Sequence, residues 1–309
     1  MNILITGGAG FIGSHVADAF LAEGHSVTLV DNLATGDERN VPQDATFVKK
    51  SILDEDFASL VVSGGFDVVA HHAAQMDVRK SVEDPIYDAT VNVLGSIRLL
   101  EACVKGKVKK VIYSSTGGAV YGEPSFLPVT ENHPVMPECQ YGISKHTAEH
   151  YIQLYDFLYG LNYTIFRYPN VYGPRQNPRG EAGVNAIFIG CLLQGKTPVI
   201  FGDGGQTRDY VYVGDVARAN VLALSSGDGE ILNLGSGIGT SVNQIYETLA
   251  KLLDVSDGPT YAEERKGEIQ RIYLDAAKAK KILGWESQVS FEEGLSQTID
   301  YFKSHPDRL

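Results

Sequence analysis

Asn2-Ile3-Leu4-Ile5-Thr6-Gly7-Gly8-Ala9-Gly10-Phe11-Ile12-Gly13, near the start of the chain, is the stretch that decides the fold. Asn2–Thr6 is an almost unbroken apolar run of strand length, and residues 12–23 carry a helical pattern. Between them Gly8, Gly10 and Gly13 match G-x-G-x-x-G, while Gly7, Gly10 and Gly13 give the related G-x-x-G-x-x-G spacing. Glycines there let the backbone turn sharply and approach a pyrophosphate, and the last lets the helix pack close to the strand. The helix that follows presents unpaired N–H groups and its positive dipole end to phosphates. Asp31 follows the next strand pattern, residues 26–30, at roughly the 20-residue offset that the motif requires. A carboxylate there accepts hydrogen bonds from adenosine ribose hydroxyls and repels a 2′-phosphate, so the stretch is expected to bind NAD in preference to NADP.

Outward from this loop, apolar runs at residues 45–48, 67–70, 108–114 and 163–168 read as further strands. Several are nearly continuous in Val, Ile and Leu, as expected when both sheet faces are covered. Helical patterns at 54–62, 86–105 and 142–159 alternate with them, which predicts an α/β fold with a Rossmann-like, doubly wound parallel sheet. Beyond Pro169, Pro174 and Pro178 the pattern is less regular. Helices are expected at 183–194, 215–226, 241–253, 275–283 and 291–303, strands at 198–201 and 231–234, and a hairpin-like stretch at 208–213. Residues 1–168 are therefore expected to form an NAD-binding domain, with later segments returning to its sheet. Residues 169–309 are expected to form a smaller mixed α/β domain that binds the substrate. No internal repeat or low-complexity segment interrupts this plan.

Composition narrows the function classes. The chain has 309 residues, 43% hydrophobic and 21% charged, which fits neither a multi-span membrane protein nor a disordered chain. No apolar run approaches the roughly 18 residues of a membrane helix. A net charge of −12 repels nucleic-acid phosphates. The densest basic stretch, Lys105-Gly106-Lys107-Val108-Lys109-Lys110, reads as a solvated helix end. Three widely spaced cysteines, Cys103, Cys139 and Cys191, make no disulfide framework. With no signal-peptide pattern at the start, a cytoplasmic location is expected.

Tyr141-Gly142-Ile143-Ser144-Lys145 sets a phenol and an ammonium four apart, on one face if a helix begins here. A tyrosine with a pKa of about 10 is a poor base at neutral pH, but a nearby ammonium and a positive nicotinamide ring would stabilise the phenolate. Thr116, in Ser114-Ser115-Thr116-Gly117-Gly118, brings a hydroxyl to the carboxyl end of the fifth strand, where such sheets bind ligands. The tandem His71-His72 reads as strand-end packing, and the chain is expected to hold no metal.

Taken together, these marks resemble the extended short-chain dehydrogenase/reductase superfamily and, within it, the UDP-glucose 4-epimerase group. The likeness runs over essentially the whole length. It rests on the glycine loop, Asp31-Asn32-Leu33-Ala34-Thr35-Gly36, His72-Ala73-Ala74, Asn92, Tyr141 with Lys145, Arg167-Tyr168-Pro169-Asn170-Val171-Tyr172-Gly173-Pro174, Gly202-Asp203-Gly204, Arg208-Asp209-Tyr210 and Asn233-Leu234-Gly235. The resemblance implies a catalytic set of Tyr141, Lys145 and Thr116. It implies NAD contacts from Gly7, Gly10, Phe11, Ile12, Gly13, Asp31, Asn32, Ser51, Ile52, Ala73, Ala74, Asn92, Tyr141, Lys145 and Tyr168. It implies that a UDP-sugar meets Thr116, Tyr141, Asn170, Val184, Phe201, Arg208, Arg265 and Ile272. Arg208 and Arg265 would clamp the diphosphate, which forked guanidiniums match well. Phe201 would lie by the uracil, and Ile272 would leave room for an N-acetyl group at C2. Helices about 86–105 and 142–159 resemble those that pair in a homodimer.

Two departures stand out. Ser51 replaces an Asp that contacts adenine in many relatives. The loop at 114–122 is one residue longer than the common form, which leaves Ser115 and Thr116 both open as the active hydroxyl. The implied reaction is 4-epimerisation of a UDP-hexose through a 4-keto sugar. A 4,6-dehydratase would need an acid–base pair after the Thr, where this chain has Gly117-Gly118. A UDP-glucuronate epimerase or decarboxylase and a non-catalytic NAD(H) sensor are competing readings of the same residues.

Overall fold

The structure is a computed structural model that describes residues 1–179, 183–264 and 269–309. Its strands are β1 (Asn2–Thr6), β2 (Ser26–Asp31), β3 (Thr46–Lys49), β4 (Val68–His71), β5 (Lys110–Thr116), β6 (Asn162–Tyr168), β7 (Asn170–Tyr172), β8 (Val199–Phe201), β9 (Thr207–Arg208), β10 (Tyr210–Tyr212), β11 (Glu230–Asn233), β12 (Thr240–Ser241) and β13 (Thr260–Ala262). Its helices are α1 (Phe11–Ala22), α2 (Phe57–Ser63), α3 (Val78–Glu83), α4 (Pro85–Ala89), α5 (Gly95–Lys105), α6 (Gly117–Val120), α7 (Gln140–Tyr159), α8 (Val184–Leu193), α9 (Val213–Leu222), α10 (Val242–Leu253), α11 (Ala277–Leu283) and α12 (Phe291–Ser304).

Seven strands form one parallel sheet in the order β11-β6-β5-β4-β1-β2-β3. From β1 the chain steps outward through β2 and β3, then returns to β4 and builds the other side. The order therefore reverses between β1 and β4, and open parallel sheets bind ligands at the carboxyl ends of such strands. On one face, Val16 and Phe20 of α1 pack with Val216 of α9, Leu283 of α11 and Trp285. On the other, Phe57 of α2, Leu99 of α5 and Ala148 and Ile152 of α7 pack together. Each large apolar side chain so buried contributes roughly 1.5–3 kcal/mol. A third cluster, with Phe188, Ile245, Leu249, Leu295 and Phe302, joins α8, α10 and α12 into a separate layer.

Two expectations change. The stretch 208–213 is not a hairpin. β9 pairs antiparallel with β12, whereas β10 pairs parallel with β7. Between them the buried Asp209 carboxylate accepts the backbone N–H groups of Ser236 at 2.9 Å and Leu274 at 3.0 Å, which ties this corner to two other segments. The helix expected at 86–105 is α4 and α5 joined by a π-helical stretch, Thr90–Leu94. As expected of the later segments, β11 returns to the main sheet and forms one of its edges. No helix among the described residues is long and apolar enough to cross a membrane.

Candidate active site

At the carboxyl ends of β1, β4, β5 and β6 lies a cleft of about 940 Å³. Gly7, Gly10, Phe11, Ile12, Gly13, Asp31, Asn32, Ser51, Ile52, Ala73, Ala74, Thr116, Tyr141, Lys145 and Tyr168 all line it. The glycine loop is closed upon itself. A Cβ at Gly13 would sit 2.2 Å from the Gly7 carbonyl oxygen, and one at Gly7, whose φ is +71°, would sit 2.6 Å from the Ala73 nitrogen. Only glycine fits either position. Gly10 begins α1 with no side-chain cap, so the first-turn N–H groups are left for a ligand in the cleft. This cradle fits the pyrophosphate of a dinucleotide.

Asp31, 8% exposed, accepts N–H bonds from Leu33 at 2.8 Å and Ala9 at 3.0 Å, one on each oxygen. A carboxylate carries about four acceptor sites, so two remain for ribose hydroxyls. The Ser51 hydroxyl turns back to accept the Leu53 N–H at 3.2 Å, while Ser51 itself remains in the wall. Asn92 stands behind the wall instead of in it. From the π-helical stretch its Nδ2 donates to the Gln75 carbonyl at 2.9 Å and to Asp88 at 3.0 Å, and its Oδ1 accepts the Gln75 N–H at 2.8 Å. It holds the loop after β4 in place. Stretches of π-helix often mark such functional corners.

Helix α7 brings Tyr141 and Lys145 to the cleft. The Lys145 Nζ lies 4.4 Å from the centre of the Tyr113 ring. Burial lowers its pKa to about 7, partly offset by Glu149 and Asp88. The Tyr141 phenol is pushed up by burial, then by Cys139 and Asp88. The lowering expected at Tyr141 is therefore not what the protein alone provides, because loss of hydration disfavours the phenolate. Asp88 also accepts the Ser144 hydroxyl at 2.5 Å and fixes the first turns of α7.

The last two residues of β5 place the two hydroxyls in different surroundings. Ser115 is 3% exposed and its Oγ donates at 2.5 Å to Glu149, which is ion-paired with Arg167 at 2.6 Å. Thr116 is half-buried in the cleft wall and its hydroxyl caps no backbone N–H. A Cβ at Gly118 would lie 3.5 Å from the Asn170 Oδ1 and 3.9 Å from the Thr116 Oγ1, so this glycine keeps open the space between them. Of the expected histidines, His71 is bonded to Thr6 at 2.7 Å and Ser96 at 3.0 Å, and His72 stacks on Tyr168.

The residues expected to meet a sugar nucleotide are more dispersed. Asn170, Val184, Phe201, Arg208 and Ile272 are not among the described residues that line the cleft. Val184 begins α8 and packs against the third core cluster. Phe201 ends β8, and the Arg208 Nη1 donates to the Thr207 carbonyl at 3.0 Å. Ile272, 3% exposed, packs with Val120, Tyr121, Val129 and Leu274, so it belongs to a small core and not to the cleft wall. Arg265 lies outside the described residues. Asp88 and Glu149 were not anticipated, and Arg167 was quoted only as part of a motif, with no role of its own. Their signal is burial of charge, which a single sequence does not display.

The NAD dependent epimerase/dehydratase family model matches residues 3–235. A UDP-glucose 4-epimerase of Mycolicibacterium smegmatis is 43% identical over 310 residues, covering 98% of this chain and 99% of that protein. A crystal structure of the Thermotoga maritima UDP-glucose 4-epimerase with UDP-glucose is 48% identical, with a TM-score of 0.97 over 99% of this chain and 100% of that one. The Thermus thermophilus UDP-glucose 4-epimerase in complex with NAD is 42% identical, with a TM-score of 0.92 over 98% and 99% of the two chains.

Proposed function

The chain belongs to the NAD-dependent epimerase/dehydratase family, and from that premise we infer that it is an NAD-dependent UDP-hexose 4-epimerase that interconverts UDP-glucose and UDP-galactose. The observation that carries this reading is the presence of Tyr141, Lys145 and Thr116 in the same cleft as the glycine loop and Asp31. Held by the glycine loop and Asp31, NAD would supply a reversible hydride acceptor for sugar C4, with no net redox change over the reaction. Tyr141 takes the proton of the 4-hydroxyl and later gives it back. Lys145 and the cofactor's positive charge oppose the desolvation that raises this phenol. Thr116 donates a hydrogen bond to the 4-oxygen and holds it near Tyr141. Asn170 and Arg208 hold the diphosphate, with Arg265 as their proposed partner. Gly117-Gly118 offers no acid to expel a 6-hydroxyl, which supports epimerisation over dehydration. Ile272, packed in its core, adds no argument for an N-acetyl group at C2.

Residues 1–168, joined by β11, serve NAD, and 169–309 serve the sugar nucleotide. The free cysteines suit a cytoplasmic setting. The outer face of α7, with Ile143, Leu154, Phe157 and Leu158 exposed, is the proposed homodimer contact. Tyr155, on the same helix, is buried and bonds Glu101 at 2.5 Å, so it belongs to the monomer.

The test is incubation of the purified protein with UDP-galactose and product analysis by NMR, beside the nucleotide released on denaturation. Formation of UDP-glucose with recovery of NAD supports the reading. Recovered NAD without conversion of any UDP-sugar would make the protein a sensor.

A further inference from the structure

We propose that α7 carries a site for a divalent d-block metal ion, Zn²⁺ in the first instance, whose ligands are Nε2 of His146 and Nε2 of His150. The site runs against the expectation of no metal. In His146-Thr147-Ala148-Glu149-His150 two histidines four apart share one helix face. Their Nε2 atoms lie 3.1 Å apart, with ring centroids 4.5 Å apart. Two nitrogens on one tetrahedral zinc ion, each at about 2.0–2.1 Å, are separated by roughly 3.3–3.4 Å. The pair is therefore close to a chelating separation with little movement of either ring.

The protonation pattern fits a ligand. The His146 Nδ1 lies 3.1 Å from a Glu149 carboxylate oxygen, which can only accept, so Nδ1 carries the hydrogen and Nε2 carries the lone pair. A carboxylate on the far nitrogen fixes the tautomer of a metal-binding imidazole and raises its basicity. Glu149 cannot swing away, because Arg167 and Ser115 hold it from the interior. His146 is thus oriented from behind, with its side chain 25% exposed, while His150 is exposed. Imidazole pairs suit Zn²⁺, Cu²⁺ and Ni²⁺, not Mg²⁺ or Ca²⁺. Among the described residues no third His, Cys, Asp or Glu completes the set, so water fills the remaining positions. Where the proposed dimer forms on this face, a second copy can supply them. The same geometry without a metal is a hydrogen bond from His150 to His146, and the experiment separates the two.

Untagged protein with its bound cofactor is titrated calorimetrically with ZnCl₂ and, as control, MgCl₂. Saturable zinc binding at one ion per chain, or one per two chains, is expected, with no magnesium response. His150→Ala should weaken zinc by about tenfold or more while leaving metal-free epimerase turnover unchanged. Cu²⁺-loaded wild type should show electron paramagnetic resonance coupling to two nitrogens, reduced to one in His150→Ala and in His146→Gln. Equal zinc affinity in wild type and His150→Ala, no zinc binding at all, or a copper spectrum unchanged by both substitutions would overturn the proposal.

Discussion

Lys145 and Glu149 stand one turn apart on α7, both almost fully buried, and their surroundings treat charge in opposite ways. The Lys145 Nζ sits over the Tyr113 ring, and burial lowers its pKa to about 7 against a partial offset from Glu149 and Asp88. Around Glu149 stand Arg167, Ser115 and His146, and these donors outweigh burial to hold its pKa down to about 2. Burial alone decides neither outcome; what decides is whether the group that lost water found partners. An uncompensated charge is left able to change its protonation state, and such groups gather at sites of chemistry. A compensated one is locked, and here it anchors the strand that carries Thr116.

The comparison can be broken first at its reactive end. Tyr141→Phe should lower kcat by about 10²–10⁴ with little change in UDP-sugar affinity or in stability, read by steady-state kinetics and thermal unfolding. Near-normal turnover would remove Tyr141 from the mechanism. At the locked end, Glu149→Ala should destabilise the fold by about 3–5 kcal/mol in urea titration, because Arg167 is left buried and unpaired. A loss below about 1 kcal/mol would place the pair in the class of weak surface bridges.

Acidity gives a smaller, signed contrast. Glu149 has a depressed folded pKa, so its contribution is present above about pH 4.5 and is lost as pH falls towards 2. Lys145 is a base with a depressed folded pKa, so the unfolded chain holds the proton from about pH 7 to 10.5 where the folded one has released it. Stability of the nucleotide-free protein should therefore rise with pH across that window, and Lys145→Met should flatten the rise. An unchanged slope would mean that Lys145 keeps its proton. The smallest effect concerns the adjacent hydroxyls. Ser115→Ala should cost about 1.5–3 kcal/mol of stability through its bond to a charged group and leave kcat nearly intact, whereas Thr116→Val should do the reverse.

How far the sequence foretold this depends on how local each feature is. The glycine loop, Asp31 and the Tyr141–Lys145 pair are short-range patterns tied to a strand and a helix, and the cleft gathers all of them. The Ser115–Glu149 and Asp88–Ser144 bonds join residues 34 and 56 positions apart, and no periodicity announces such a meeting. Asn92 is expected at the cofactor, but the π-helical stretch turns it inward onto Gln75. The supposed hairpin failed because Asp209 recruits Ser236 and Leu274, and these contacts send β9 and β10 to different partners.

The late arrival of β11 bears on how the molecule is made. β6 pairs with β11 from Thr164 to Arg167, so one edge of β6 has no neighbour until residues 230–233 are available. During synthesis at about 5–20 residues per second, that edge, with Ile165 and Phe166 on it, waits on the order of seconds after it is first made. An open apolar edge is a template for pairing with another chain. A fragment ending at residue 168 would keep that edge permanently, so it should collect in inclusion bodies, whereas one extended through β11 closes the sheet. The ribosome, in effect, must deliver part of the second half before the first can be left safely alone.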